Sequence, residues 1–447
     1  MATASQIGTT KAPGKASGGS SLPRSAFAII FWSSAATQIG NNGLVSVLPL
    51  IGRSLKIPDE MVVAIFSLSA VLWACSSPFW ARASDRYGRK PLMLVGLLGF
   101  MVSMTLCGVI VGAGLRQLAA PLVIFILLLL GRALFGLFGA ASNPAYQAYI
   151  ADHTPYEERT QAMAMLAGAI GIGTLVGPWL APYFIYPVVG LAGPLFTFAG
   201  IAAVMLFVVW RFLPESRRRP EALAEAAQEA IAEKRRPLWR DPAILPFAIY
   251  GFVVATCQTA QQQTLGFLVI DKLGVTPLAA KEQIATAMAF GALAGLFAQW
   301  GIIRMFQMSP KQLLRWGVIC GAGGNLLVAI APDFHTVVAG YALASMGFGF
   351  ARPGFTAGSS LAVGWKDQAR VAGAIAAVNG INAVFAPAFT ALYRANHAAP
   401  FFLNMGLMLC LLVYAYLSPA LRNADPAAVT REEATMATIE RTDEGGS

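Results

Sequence analysis

Charge is scarce in this chain. Asp, Glu, Lys and Arg make up 12% of its 447 residues, against about 25% in an ordinary soluble protein, and that shortage excludes a water-soluble body of this size. Cysteine offers no framework either. Cys75, Cys107, Cys257, Cys320 and Cys410 form no CxxC pair and all fall in apolar stretches, so neither a disulfide scaffold nor a zinc site is indicated. The only histidines, His153, His335 and His397, stand far apart, which leaves a membrane enzyme without a nucleophile–base or metal constellation. No GxxxxGK[ST] loop is present to hold ATP. No stretch is long enough for the soluble output domain of a sensor. No cofactor is expected.

Long apolar runs are what the chain has in quantity. Twelve lie near 26–50, 61–81, 91–112, 121–150, 161–186, 190–213, 243–270, 282–305, 313–331, 336–364, 369–393 and 398–418. Each can cross about 30 Å of hydrocarbon as a helix, and none shows the apolar/polar alternation of barrel strands. The expected fold is therefore an all-α membrane protein with 12 transmembrane helices in two six-helix bundles. Residues 26–213 and 243–418 form the bundles, 214–242 a charged cytoplasmic linker, and 1–25 and 419–447 cytoplasmic tails, the first disordered. The first run has no convincing cleavage site and is expected to remain as a span. The net charge of +10 could suggest nucleic acid, but most basic residues fall in loops and tails on one side of this topology. Only Arg132 and Arg352 lie deep in spans. This positive-inside pattern places both termini in the cytoplasm; the expected setting is a bacterial inner membrane, with the lipid bilayer as partner.

Two bundles joined by a charged linker suit a transporter that rocks around a central site. A faint repeat agrees. Sliding the first half along the second until Asn143–Pro144 meets Arg352–Pro353 also lays Tyr146 on Phe355 and Pro178 on Pro387. The paired prolines are expected to loosen the fourth and tenth spans at the same level.

Three short stretches carry more specific information. Between the second and third runs lies ARASDRYGRKPL, Ala81 to Leu92. Gly88 suits a tight turn, Arg86, Arg89 and Lys90 hold the loop at an anionic surface, and Asp85 can cap a helix or pair with arginine. The fourth run contains RALFGLFGA, where Gly136 and Ala140 sit one turn apart and allow close helix contact. The fifth contains AGAIGIGTLVGPWLAP, small residues ending at a proline.

With these stretches the chain resembles the major facilitator superfamily. The family pattern G-x-x-x-D-R-x-G-R-R/K is matched by Asp85, Arg86, Gly88, Arg89 and Lys90, with Ala81 in place of the first glycine. The resemblance implies a conformational role for this loop, with no substrate contact. Arg132, Gly136 and Ala140 fit R-x-x-x-G-x-x-x-A, whose arginine is linked to proton movement in related members. Gly173, Gly177 and Pro178 resemble the drug/proton antiporter signature G-x-x-x-G-P-x-x-G, with Ala181 replacing its last glycine. LPESRR, Leu213 to Arg218, looks like the end of the sixth helix in these exporters and in sugar permeases.

Polar groups at membrane depth mark candidate binding residues. Gln38, Asn41 and Asn42 share one face of the first span, and Gln258, Gln261 and Gln262 repeat that spacing in the seventh. Asn143, Tyr146 and Gln147, Phe355 and Arg352, and Asn379 and Asn382 complete the set, while Asn325 reads as a packing contact. No Asp or Glu lies deep in any span. A proton-coupled carrier commonly uses a buried carboxylate, so Asp85, Asp152 or a protonatable substrate must serve if protons are coupled. The expected function is a monomeric secondary transporter working by alternating access. Export of a small drug-like or metabolite molecule, favouring an anionic group, leads, and proton-coupled uptake of an organic acid or sugar is the alternative.

Overall fold

The computed structural model describes residues 24–154, 156–215, 244–362 and 382–422, with single positions between 371 and 380. Nearly all of the two tails and the linker, and the candidate Asn379, lie outside the described residues. The chain is a succession of helices: α1 (Arg24–Ser54), α2 (Asp59–Tyr87), α3 (Arg89–Leu115), α4 (Pro121–His153), α5 (Tyr156–Leu180) and α6 (Gly193–Phe212) form the first half. The second half holds α7 (Leu245–Leu273), α8 (Lys281–Phe306), α9 (Pro310–Ile330), α10 (Phe334–Leu361), α11 (Ala386–Ala395) and α12 (Ala399–Leu417). Among the described residues, eight of these helices are long and apolar enough to cross a membrane by length and composition. The amides that α1 and α7 carry reduce their hydropathy, and neither is among the eight.

Local chemistry sets several helix ends. Prolines open α4, α6, α9 and α12, where a missing N–H costs nothing. Ser309 and Gln312 form a reciprocal capping box at the start of α9. Asp333 caps α10 by accepting from the Thr336 amide at 2.8 Å, which holds its carboxyl below the usual range.

Glycines decide which helices touch. A Cβ on Gly136 would lie 2.5 Å from the Ser69 carbonyl oxygen, so α4 meets α2 backbone to backbone. The halves meet along two seams, α2 against α11 and α5 against α8, with α1 also reaching α7 and α8. At the face away from the linker, Arg53 of α1 bonds Asp271 of α7, and Arg394 of α11 bonds Glu60 of α2.

The expected pairing of helix breaks does not hold. A 3-10 turn at Gly139–Ala141 interrupts α4 just before Asn143–Pro144, whereas α10 runs unbroken through Pro353. The small residues 139–141 let α4 tighten there, while α10 is held against α9 along Gly340 and Gly347.

Candidate functional site: a cavity between the halves

A cavity of about 510 Å³ lies between the halves, walled by α1, α5, α7, α8 and α10. Of the sequence candidates it gathers Asn42, Gln258, Gln262 and Arg352, together with Pro178. Arg352 is the only charged residue in the described lining. Thr174, Gln299, Tyr341, Ser345 and Thr356 add hydrogen-bonding groups, and Val45, Ile170, Met288, Leu296 and Phe348 supply apolar surface. An apolar wall with a few convergent polar groups is the usual make-up of a small-molecule site, and this volume falls in the usual range of about 300–1,000 Å³.

The other candidates lie elsewhere. Asn41 turns from the cavity and accepts from Arg132 Nη2 at 2.6 Å. Arg132 is buried, its guanidinium stacked over Phe135 and near Phe66. Adjacent residues on a helix point about 100° apart, so Asn41 and Asn42 divide between packing and cavity. Gln38 lies beneath Gly173 of α5 and bonds within α1, where Asn42 Nδ2 donates to its backbone oxygen at 2.9 Å and to Oε1 at 3.5 Å. Gln261 is sealed in the second half, accepting from Asn325 Nδ2 at 3.3 Å, and Asn404 donates in turn to Asn325 Oδ1 at 3.2 Å. Asn382 accepts from Thr259 at 3.1 Å where α7 meets the start of α11. Tyr146 is buried in the first half's core with Ile30 and Met93. Phe355 packs on Gly251 of α7. Asn143 and the exposed Gln147 bond only loosely to each other, at 3.5 Å.

A family model for the Major Facilitator Superfamily matches residues 30–387. The chain belongs to that superfamily. Multidrug resistance protein 2 of Bacillus subtilis (strain 168) is 25% identical over 382 residues, covering 84% of this chain and 90% of that protein. The class D tetracycline resistance protein of Salmonella ordonez is 26% identical, covering 78% and 86%. Among solved structures, a bacterial homologue of the human lysosomal transporter Spinster, in an inward-facing and occupied conformation, superposes with a TM-score of 0.65 at 13% identity, covering 91% of this chain and 96% of that one. The human organic anion transporter MFSD10 superposes at 0.60 with 18% identity, covering 88% and 99%. At such identities the structures establish the fold alone.

In this Major Facilitator protein Pro178 reaches the cavity, while the loop residues and Gly173 and Gly177 of α5 form two assemblies outside it. Arg89 is 2% exposed and holds Asp85 at 2.7 Å and Asp152 at 3.0 Å, drawing together the ends of α2, α3 and α4. Gly88, at φ 101°, makes the turn, and a Cβ there would lie 2.7 Å from Glu215 Oε1. That carboxylate accepts from the Arg89 and Lys90 amides at 3.1 and 3.3 Å, capping α3. Arg86 lies 5.5 Å over the Tyr87 ring. In α5, Gly173 and Gly177 seat the helix directly on the α1 backbone.

Sequence reasoning missed Glu215's partner, the cavity side chains of α8, and the Arg53 contacts. A signal existed for the second: Gly291 and Gly295 form a small-xxx-small pair, and Gly295 lets α8 meet Gly349 of α10. The π-turn at Phe297–Ile302 that includes Gln299 leaves no such trace.

Proposed function

We propose that this transporter exports a small organic, drug-like solute, favouring one with an anionic group, by alternating access around the cavity. The observation that carries the reading is the convergence of Asn42 from one half and Gln258, Gln262 and Arg352 from the other on one space of about 510 Å³. A site shared by both halves changes its exposure when they rock. The two relatives named for drug and tetracycline resistance support export as the direction. Proton exchange supplies the drive, one chain suffices, and both termini lie in the cytoplasm of an inner membrane. In this reading the ion pairs at the face away from the linker close the external side, so the cavity serves the cytoplasmic one.

Arg352 is assigned the substrate's negative group. A charge-assisted hydrogen bond of this kind is worth about 1.5–3 kcal/mol, or about 10- to 100-fold in affinity. In proteoliposomes, Arg352→Ala is expected to reduce transport of amphipathic organic anions by that factor, measured on variant protein shown to be folded. Transport of anions at the original rate by the variant overturns the assignment.

A further inference from the structure

At the face away from the linker, one carboxylate oxygen serves partners from both halves. Asp271 Oδ2 lies 2.9 Å from Arg53 Nη2 of α1 and accepts from the Tyr393 hydroxyl of α11 at 2.7 Å. His397, just beyond α11, stacks on Tyr393 with ring centroids 4.7 Å apart, and its Nε2 lies 3.8 Å from the same oxygen. Tyr393 and His397 belong to the same half as Asp271. Arg53 belongs to the other, where it also holds Asp59 at 2.6 Å.

The remaining charges of the neighbourhood are committed elsewhere. Glu60 of α2 pairs with Arg394 of α11. Lys272 of α7 turns its ammonium to the Ala331 carbonyl oxygen, and Lys56 points outward. Asp333 caps α10, and His335 lies edge-on to Phe334. A second cavity, of about 250 Å³, is walled by Asp271, Lys272, Asn396 and His397, giving solvent a route to the pair while the latch is shut.

We propose that the Asp271–His397 pair is a proton-binding site that releases this latch. With the halves closed, Asp271 already has a cation in Arg53, and a second cation on the imidazole competes for the same oxygen. When the halves part, Asp271 loses Arg53, and a protonated His397 becomes the cation nearest to it. The proton therefore binds more tightly to the parted state, and by linkage acid favours parting. Histidine is the side chain whose ordinary titration range makes such a switch work between about pH 5 and 8. The inference concerns the latch alone and involves no substrate, so its failure leaves the cavity reading untouched.

The test is a spin-label distance measurement between Val188→Cys and Val275→Cys, on the full chain in lipid nanodiscs with the five native cysteines replaced by alanine. These positions lie in exposed segments of opposite halves on the latch face. Lowering the pH from 8 to 5.5 is expected to raise the parted-to-closed ratio by about two- to fivefold, the size of an exposed ion pair. His397→Gln is expected to remain closed at both values, and His397→Lys to show the parted distance at both. A wild-type distribution that ignores pH, or a His397→Gln response as large as wild type, overturns the proposal.

Discussion

Replacing Gly177 by alanine isolates what the antiporter-like stretch does in this fold. A Cβ at that position would run into the Ile39 carbonyl oxygen and come within 2.9 Å of the Gly43 amide nitrogen, both backbone atoms of α1. Neither can rotate aside, so α1 and α5 must separate by several tenths of an ångström. Forcing a methyl into such packing costs about 1–3 kcal/mol, against a gain in helix propensity of about 1 kcal/mol for Gly→Ala. The net expectation is a loss of up to about 2 kcal/mol. Gly168 supplies the control, because it lies on the same helix and a Cβ there meets nothing within 4 Å among the described residues. Gly168→Ala should keep the propensity gain and melt at or above wild type. The assay is thermal unfolding of the purified protein in detergent, followed by tryptophan fluorescence, beside drug efflux from cells. Separation of the two helices also displaces Asn42 from Thr174 across the cavity, so Gly177→Ala should lose efflux beyond its loss of stability. If the two alanine variants melt alike, the backbone-contact reasoning fails.

Two further substitutions separate roles that the sequence merges. Asn41→Ala leaves Arg132 Nη2 buried without its 2.6 Å acceptor, and should cost about 2 kcal/mol in unfolding stability. Asn42→Ala removes a cavity group instead, and should reduce transport with little change in melting. Equal melting of the two variants refutes the division. Glu215→Ala removes the acceptor for the Arg89 and Lys90 amides, so hydrogen–deuterium exchange at residues 88–91 should rise several-fold; unchanged protection there refutes the cap.

The fold was legible because the membrane restricts the backbone to so few solutions. Uninterrupted apolar runs gave the succession of helices, and the loop around Gly88 could be assigned from residue types alone, since few loops need its combination of turn and charges. The site was only half legible for a geometric reason. A polar residue in a span announces that it needs a partner but not on which side, and a rotation of about 100° separates Asn41 from Asn42 and Gln261 from Gln262. One member of each pair is taken up by Arg132 or Asn325, and the other faces the cavity. The latch was illegible because its members are distant in sequence: Arg53 and Asp271 are 218 positions apart. The π-turn of α8 was hidden because no proline or glycine pair marks it.

The distribution of these bonds says something about how the halves divide the work. In the first half, the polar groups of α1 and α4 are largely spent inside the half. Asn41 accepts from the buried Arg132, and Arg89 gathers two carboxylates. Releasing either to a solute would strand a buried charge, at a cost comparable to the binding it gained. In the second half, Gln258, Gln262, Gln299 and Arg352 all reach the cavity, from three different helices. The first half thus carries the motif assemblies, and the second supplies most of the polar groups of the described cavity lining. Substitutions that alter selectivity should therefore concentrate on α7, α8 and α10. Those that alter switching should concentrate on the ends of α2, α3 and α4 and on the latch.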